Sequence, residues 1–477
     1  MKKIFSTTLK KTFTFASFLL LFNFFFSAQE STFSDDDLFS DDDFFGEDSL
    51  IDIEETQTGA FSSDLNHGIL FENGNIKIGG TFDTEISSKT VLYEDSDDKF
   101  VDHIYKTVLT PKAEALLTLD ARPTQILRMY SKFGLAYPFE TSASSLFNPL
   151  TNSVTTSVSD YFVLKELFTD FSFADRLFFR FGKHTVTWGT GYFFSPVSDM
   201  INTSSIDPED TDAEINGCLN LRAQITFPGT QNCLWFYLIP STDFISSYSA
   251  SSYARETALA AKADLVFGGW EFGGGAYWKY HSSPKAMLTA SGSIIHGKVS
   301  VFGEAVYQYG TETEWNENTD FSDKTSLFLV TAGTSYYWKI PQITFAFQAY
   351  YDSYSDKDFN LSTAATSDIL HNYFYKGWNL AGLVNFGRVF GTEDFTVSLF
   401  GMVNFGKEEL SSSMKSMMAS YGMSSSYLSA GTFSAMLNYT PFKNLTLGAG
   451  PYMTFSDWGS APVLSLKLTA SLGGGKF

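Results

Sequence analysis

The chain has 477 residues, is 17% aromatic with 49 Phe and 24 Tyr, and carries a formal charge of −21. So acidic a balance argues against nucleic acid as a partner. Past the first 28 residues no run of about 18 apolar residues occurs, so the rest of the chain has no membrane-spanning helix, and its many aromatics need some other apolar surroundings.

Residues 1–28 read as a signal peptide. Lys2, Lys3, Lys10 and Lys11 precede an apolar run from Phe13 to Phe26, and Ser27-Ala28 supply small residues for a cut after Ala28. Phe26 suits the cleavage site poorly, which leaves the position of the cut open. The run is short for a span, and with no cysteine nearby a lipoprotein anchor is not expected. Residues 29–73 read as an acidic periplasmic linker. Residues 29–56 hold twelve carboxylates and no Lys or Arg, and Phe33–Phe45 form the near-repeat FSDDDLFSDDDFF. Like charges at that density repel, so a disordered tail is expected. The Asp runs lack the spacing and the glycine of an EF-hand loop. Leu38, Phe39, Phe44 and Phe45 among the acids keep a docking peptide open.

From residue 74 to 477 the pattern is alternation with period two, the strand signal. The clearest case starts at Tyr161. Val163, Leu167, Phe171 and Phe173 share one face, opposite Glu166, Asp170 and Ser172. Next, Leu177, Phe179 and Phe181 face away from Arg180, Gly182 and His184. The greasy faces coincide only if Ala174, Asp175 and Arg176 form the turn, which places Asp170 opposite Arg180 and Glu166 opposite His184. Strands are expected near 74–86, 107–120, 124–137, 161–173, 177–188, 218–228, 233–241, 255–267, 270–281, 284–295, 298–310, 325–338, 342–352, 371–386, 395–406, 426–439, 444–455 and 462–473. The weakest are 233–241 and 284–295.

The connections alternate short and long, except that two due to be long are short, near His281 and Asp457, and one due to be short is longer, near Gly387–Asp394. Short ones include Ala121-Arg122-Pro123, Ala174–Arg176, Pro228–Asn232, Gly268-Gly269 and Pro441–Lys443; long, Ser/Asp/Asn/Thr-rich ones fall near 87–106, 138–160, 189–217, 242–254, 311–324, 353–370 and 407–425. Loops sorted in this way suit a membrane barrel with tight turns at one end and long loops at the other. In lipid every backbone N–H and C=O needs a partner within the protein, so without helices only a closed barrel can span. The expected fold is an all-β, transmembrane, antiparallel up-and-down barrel of about 16–18 strands, wide enough for an aqueous lumen unless loops plug it. In that register Cys218 and Cys233 lie about 30 Å apart, beyond the roughly 7 Å a disulfide allows, so two free thiols are expected.

Strands two to six put Lys112, Glu114, Arg128, Lys132, Glu166, Asp170, Arg180 and Arg222 on the face away from lipid. Such a patch sets a local field that selects solutes by charge, or it is a network of ion pairs filling the wall. Beyond Lys183 come Trp188, Gly189, Gly191, Tyr192, Phe193, Phe194, Pro196 and Asp199. The glycines let a strand bend inward, and the aromatics suit a lipid interface. Trp188, Gly189, Gly191 and Asp199 are the expected mouth, with 189–217 as an inward loop that narrows the pore. This segment, from Gly182-Lys183 through Trp188-Gly189-Thr190-Gly191 to Pro196 and Asp199, resembles one common in large outer-membrane porin-like barrels, and the resemblance implies that fold and location. The acidic loop after it (Asp207, Glu209, Asp210, Asp212, Glu214) reads as solvated. Terminal Phe477 resembles the aromatic signal read by the outer-membrane assembly machinery, although the greasy residues of the last strand are even-numbered; a bulge at Gly473-Gly474-Gly475 would restore phase.

No G-x-S-x-G, H-E-x-x-H, phosphate loop or C-x-x-C occurs, so neither an enzyme nor a cofactor is expected, nor a resident metal. The sequence reading is a porin-like channel for passive diffusion of small hydrophilic solutes. A plugged transporter for hydrophobic molecules, or an adhesin whose loops bind partners, stands as its alternative. The expected partners are the lipid bilayer, the assembly machinery and small solutes. Homo-oligomerisation stays open.

Overall fold

The computed structural model describes residues 71–93 except 74, 107–137, 163–202 except 175, 217–240, 255–353 except 312–313 and 316–319, 377–405, 416, 430–456 except 443–444, and 463–476. The expected leader, the acidic linker up to residue 70, the acidic loop at 207–214 and Phe477 lie outside the described residues.

A three-residue arm, β1 (Phe71–Asn73), folds back on the start of β2 (Ile76–Tyr93). There follow β3 (Val108–Thr124), β4 (Leu127–Tyr137), β5 (Val163–Phe173), β6 (Leu177–His184), β7 (Cys218–Thr226), β8 (Cys233–Ile239), β9 (Ala258–Phe267), β10 (Trp270–Lys279), β11 (Lys285–Ile294), β12 (Val299–Tyr309), β13 (Ser326–Trp338), β14 (Ile343–Asp352), β15 (Gly377–Phe386), β16 (Phe395–Asn404), β17 (Ala430–Phe442), β18 (Leu445–Ser456) and β19 (Val463–Lys476). From β2 onward each strand pairs antiparallel with the next, and β19 pairs back onto β2 from Leu464↔Tyr93 to Lys476↔Thr81. Setting β1 aside, eighteen strands close a ring with no free edge, the condition a spanning sheet must meet. No helix among the described residues is long and apolar enough to cross a membrane.

Alternation decides which face is which. Leu167, Phe171, Phe173 and Phe181 are exposed on the outside of β5 and β6, while Asp170 and Arg180 face each other inside. The same rule exposes Phe236, Leu265, Leu288, Leu468 and Leu472 elsewhere on the wall. Outward aromatics pair near both ends of the strands. Tyr351–Trp378 and Tyr307–Phe328 (4.8 and 5.1 Å between centroids) lie toward the long loops, Phe171–Phe179 and Phe395–Tyr439 (4.7 and 4.5 Å) toward the tight turns. An apolar band between two aromatic girdles is the surface of a transmembrane barrel.

The three-residue turn after Phe173 is present, with Phe173↔Leu177 as its last pair and Ala174 at φ 54°. Gly268 and Gly269 (φ 60° and 79°) make the two-residue turn between β9 and β10, where both positions need the left-handed region. Cys218 and Cys233 are free, at opposite ends of the β7–β8 hairpin.

Four local expectations change. The turn after β3 is Gln125-Ile126, not Ala121–Pro123, because a bulge between Ala121 and Thr124 carries the strand past Pro123. Pro441 lies within β17 at a second bulge, between Tyr439 and Phe442, rather than in the turn. A third bulge, opposite Lys132/Phe133, shifts the phase of β5, so Val163 pairs with Gly134 and leaves the outward face. The sixth strand stops at His184, not at residue 188, because the chain turns into the lumen there. The bulge expected near Gly473–Gly475 is present.

Candidate functional site in the barrel lumen

Residues 185–202 leave β6 and fold against the inner wall. Val186, Trp188, Val197 and Ile201 pack on Cys218, Tyr237, Ala260, Met287 and Val306, inner residues of β7, β8, β9, β11 and β12. Phe193 and Phe194 continue round the wall onto Ala346, Tyr350, Ala381 and Met402 of β14 to β16. Trp188 meets Tyr237 edge-on at 4.8 Å, and Phe194 stacks on Tyr350 at 5.3 Å. The aromatics of this segment were expected at the lipid interface. They are instead inside, with Trp188 4% and Phe193 1% exposed. The reason is burial: each such side chain gains roughly 1.5–3 kcal/mol on leaving water, and here the wall of the lumen supplies the apolar surface.

A loop buried this way must satisfy its backbone, and three wall residues do so. Lys262 on β9 donates to the Trp188 carbonyl (3.0 Å) and pairs with Asp264 (2.9 Å). Glu304, from the middle of β12, accepts the N–H groups of Thr190 and Gly191 (both 2.5 Å) and of Val197 (3.1 Å), and the Ser195 hydroxyl (3.0 Å). Gln348, from the middle of β14, accepts from the N–H groups of Tyr192, Phe193 and Phe194 (3.0, 2.7 and 3.3 Å). Its amide nitrogen donates to the Phe194 carbonyl (2.6 Å) and to the Thr331 hydroxyl (2.5 Å). At the root of the loop, Asn202 holds both backbone groups of Val186 (2.9 and 2.7 Å).

This geometry explains the spacing Trp188-Gly189-Thr190-Gly191. A Cβ on Gly189 would lie 1.8 Å from Ser195 Oγ and 2.5 Å from Glu304 Oε1. A Cβ on Gly191 would lie 1.9 Å from the Phe194 carbonyl oxygen. The glycines are there for close approach, so that a carboxylate and an amide can reach the backbone. Asp199 lies in the short 3-10 turn Ser198–Met200 that follows, and its N–H donates to the Ser195 carbonyl (3.0 Å). All four expected mouth residues thus belong to one inward loop.

The expected charged residues lie on the part of the wall that this loop leaves uncovered. One register line runs Arg128↔Asp170↔Arg180↔Arg222 across β4 to β7, toward the tight-turn end. Arg180 grips Asp170 with two bonds (2.7 and 3.1 Å) and lies 4.0 Å over the Phe168 ring. Arg128 reaches Asp120 (3.1 Å) and Asp170 (3.6 Å), and Asp120 also pairs with Arg122 (3.3 Å). Arg222 sits over Trp235 at 5.3 Å, at the margin of the covered wall. Lys132 stands opposite Glu166. Higher on β3, Lys112 pairs with Glu114 at 2.8 Å, separate from the arginine line. The line therefore carries three cations and one anion, with Arg180 and Arg222 as adjacent like charges.

The sequence reading missed Glu304, Gln348, Lys262 and Asp120. Glu304 carried a signal: on its own face of β12 its neighbours are Phe302 and Val306, and a carboxylate between two buried apolar residues requires donors from elsewhere. Gln348 carried none beyond its inward phase.

The sequence matches no protein-family model and no curated protein. Solved structures of similar architecture include Pseudomonas aeruginosa OccK9, at 10% identity and a TM-score of 0.48, covering 83% of this chain and 98% of that one. Acinetobacter baumannii OccAB2 has 9% identity and a TM-score of 0.46, covering 83% and 97%. Pseudomonas aeruginosa OccK2, solved in complex with glucuronate, has 9% identity and a TM-score of 0.48, covering 83% and 96%.

Proposed function

We propose that the chain is a passive channel of an outer membrane for small hydrophilic solutes, exported by its N-terminal leader and assembled through its terminal Phe477. The observation that carries this is the division of the lumen. A loop fastened to one part of the wall takes up luminal space, and the other part carries the ion-paired Arg128, Asp170 and buried Arg180 with the more open Lys112 and Glu114 beside them. Fixed charges beside a narrowed aqueous path select solutes by charge. A conduit for hydrophobic molecules would need an apolar path, and the uncovered wall is charged.

Purified protein in a planar bilayer tests it. Discrete ohmic steps with a reversal potential that departs from zero in a salt gradient are expected. A folded barrel, judged by its heat-dependent gel mobility, that gives no steps would overturn the reading.

A further inference from the structure

We infer that Glu304 is the positioning residue that sets the width of the luminal passage, because the inward loop is folded around its carboxylate as a receptor is folded around an anion. The consequence for the passage rests on the channel reading, whereas the geometry of the loop does not.

Glu304 is 2% exposed and points inward from the middle of β12. Every group around its carboxylate is a donor: three backbone N–H groups and one hydroxyl. That is the complement of an acceptor-only ion. Backbone N–H groups arrayed around a concavity are a known form of anion site. Here Thr190, Gly191 and Val197 supply the array, and the absence of a Cβ at Gly189 makes the room.

The two wall anchors differ in what they hold. Gln348 binds three successive residues, 192 to 194, so it fastens the tip alone. Glu304 binds residue 190 on one arm and residue 197 on the other. One side chain thus ties the two arms together across eight positions. Without it, the tip stays pinned by Gln348 and the root by Asn202 and by the Gly189 N–H bond to Ser198 Oγ (2.8 Å), while residues 190–197 between them lose the anchor they share. Lys262 cannot replace it, since it reaches a carbonyl and Asp264.

The test uses the full-length barrel in lipid, with the variants Glu304→Ala and Glu304→Gln. Hydrogen exchange reads the amides of 190–197 directly. In Glu304→Ala these amides are expected to exchange about tenfold faster or more, as released donors should. Added acetate, which matches the CH2–COO− group removed, should slow them again, and chloride at equal ionic strength should not. Glu304→Gln, which keeps one acceptor oxygen, should fall between, and it serves if the alanine variant does not fold. In bilayers Glu304→Ala should show added conductance levels that acetate suppresses. Wild-type exchange rates in Glu304→Ala would overturn the inference. So would faster exchange that acetate and chloride affect equally. If the wild-type barrel gives no conductance steps while the exchange pattern holds, the channel reading falls and the role of Glu304 stands.

Discussion

The inner wall of this barrel has two parts, and they handle polar groups in opposite ways. On β9 to β14, the three side chains that hold the loop bond to backbone: Glu304, Gln348 and Lys262 reach the N–H and C=O groups of residues 188–197, with Lys262 also paired to Asp264. On β3 to β6, charged side chains bond to one another: Asp120, Arg128, Asp170 and Arg180 form a chain of ion pairs. A side chain that bonds to backbone shapes the passage. Side chains that bond to each other shape the field inside it. Substitutions on the first part should change the form of the lumen, and substitutions on the second its selectivity.

The largest effect should come from Gly191→Ala. Its Cβ would meet the Phe194 carbonyl at 1.9 Å, a backbone atom that cannot move without unseating the tip. The strain should reach or exceed the roughly 3 kcal/mol upper end of ordinary overpacking. A loop cleaved by protease in a barrel that keeps its heat-dependent mobility is the expected result. A loop as resistant as wild type would show that the close approach is not needed. Gln348→Leu comes next. It strips the acceptor from three N–H groups, each costing about 1–3 kcal/mol when left buried. The damage should stay local, so amides 192–194 should exchange faster while 186–190 do not.

The eighteen-strand ring was legible because its signal repeats. Apolar alternation recurs in each strand, and the short and long connections sort by end with few exceptions, such as the short connection between Lys279 and Lys285, so even the weakly patterned 233–241 and 284–295 fall where expected. Errors gathered where one residue breaks the period. The bulges at Ala121/Thr124, Tyr439/Phe442 and Lys132/Phe133 each add a residue that no periodicity encodes. In the lumen, Asp170 opposite Arg180 was legible because a hairpin fixes its own register. The partners of the inward loop were not. Glu304 lies more than a hundred residues from the N–H groups it binds, and such a contact exists only once the ring closes. The aromatics of 188–194 were misread for a related reason, since a membrane barrel offers two apolar surroundings and composition does not say which one a side chain enters.

On the charged part the effects should be smaller and opposite in sign. Arg180→Ala removes the cation that grips Asp170 and should move ion selectivity toward cations; Asp170→Asn should move it toward anions. One unit charge about 4 Å from a passing ion is worth about 1 kcal/mol in water, so permeability ratios should change several-fold. Reversal potentials in a salt gradient give the answer. A parallel shift in both variants would mean that the pair acts on the shape of the wall and not on its field.

The smallest effect tests whether the division extends beyond the membrane. In the connection between β12 and β13, the Glu314 carboxylate accepts from the Thr311 N–H (2.8 Å), the Thr325 N–H (3.1 Å) and the Thr325 hydroxyl (2.7 Å). Lys324 lies 4.7 Å over Trp315 and donates to the Glu314 carbonyl (3.3 Å). Burial pushes the Glu314 carboxyl up, but the bonds from Thr311 and Thr325 and the charge of Lys324 outweigh it and hold it below the ordinary carboxylate range. A carboxylate held low in the folded loop stabilises it above the ordinary range, and that stability fades as pH falls through the lowered value. Trp315, whose indole N–H donates to the Tyr309 carbonyl (2.7 Å), reports on the loop. A Trp315-specific fluorescence change, isolated against a Trp315→Phe control, should appear in the wild type only below the ordinary carboxylate range. In Glu314→Gln it should be absent, with the low-pH signal already present at neutral pH. High salt should blunt the contribution of Lys324 and little else, since exposed pairs are screened while short hydrogen bonds are not. Here a carboxylate again bonds to backbone and again sets shape, so ion selectivity should be the same in Glu314→Gln as in wild type. A shift in reversal potential would place Glu314 with the field-setting residues instead.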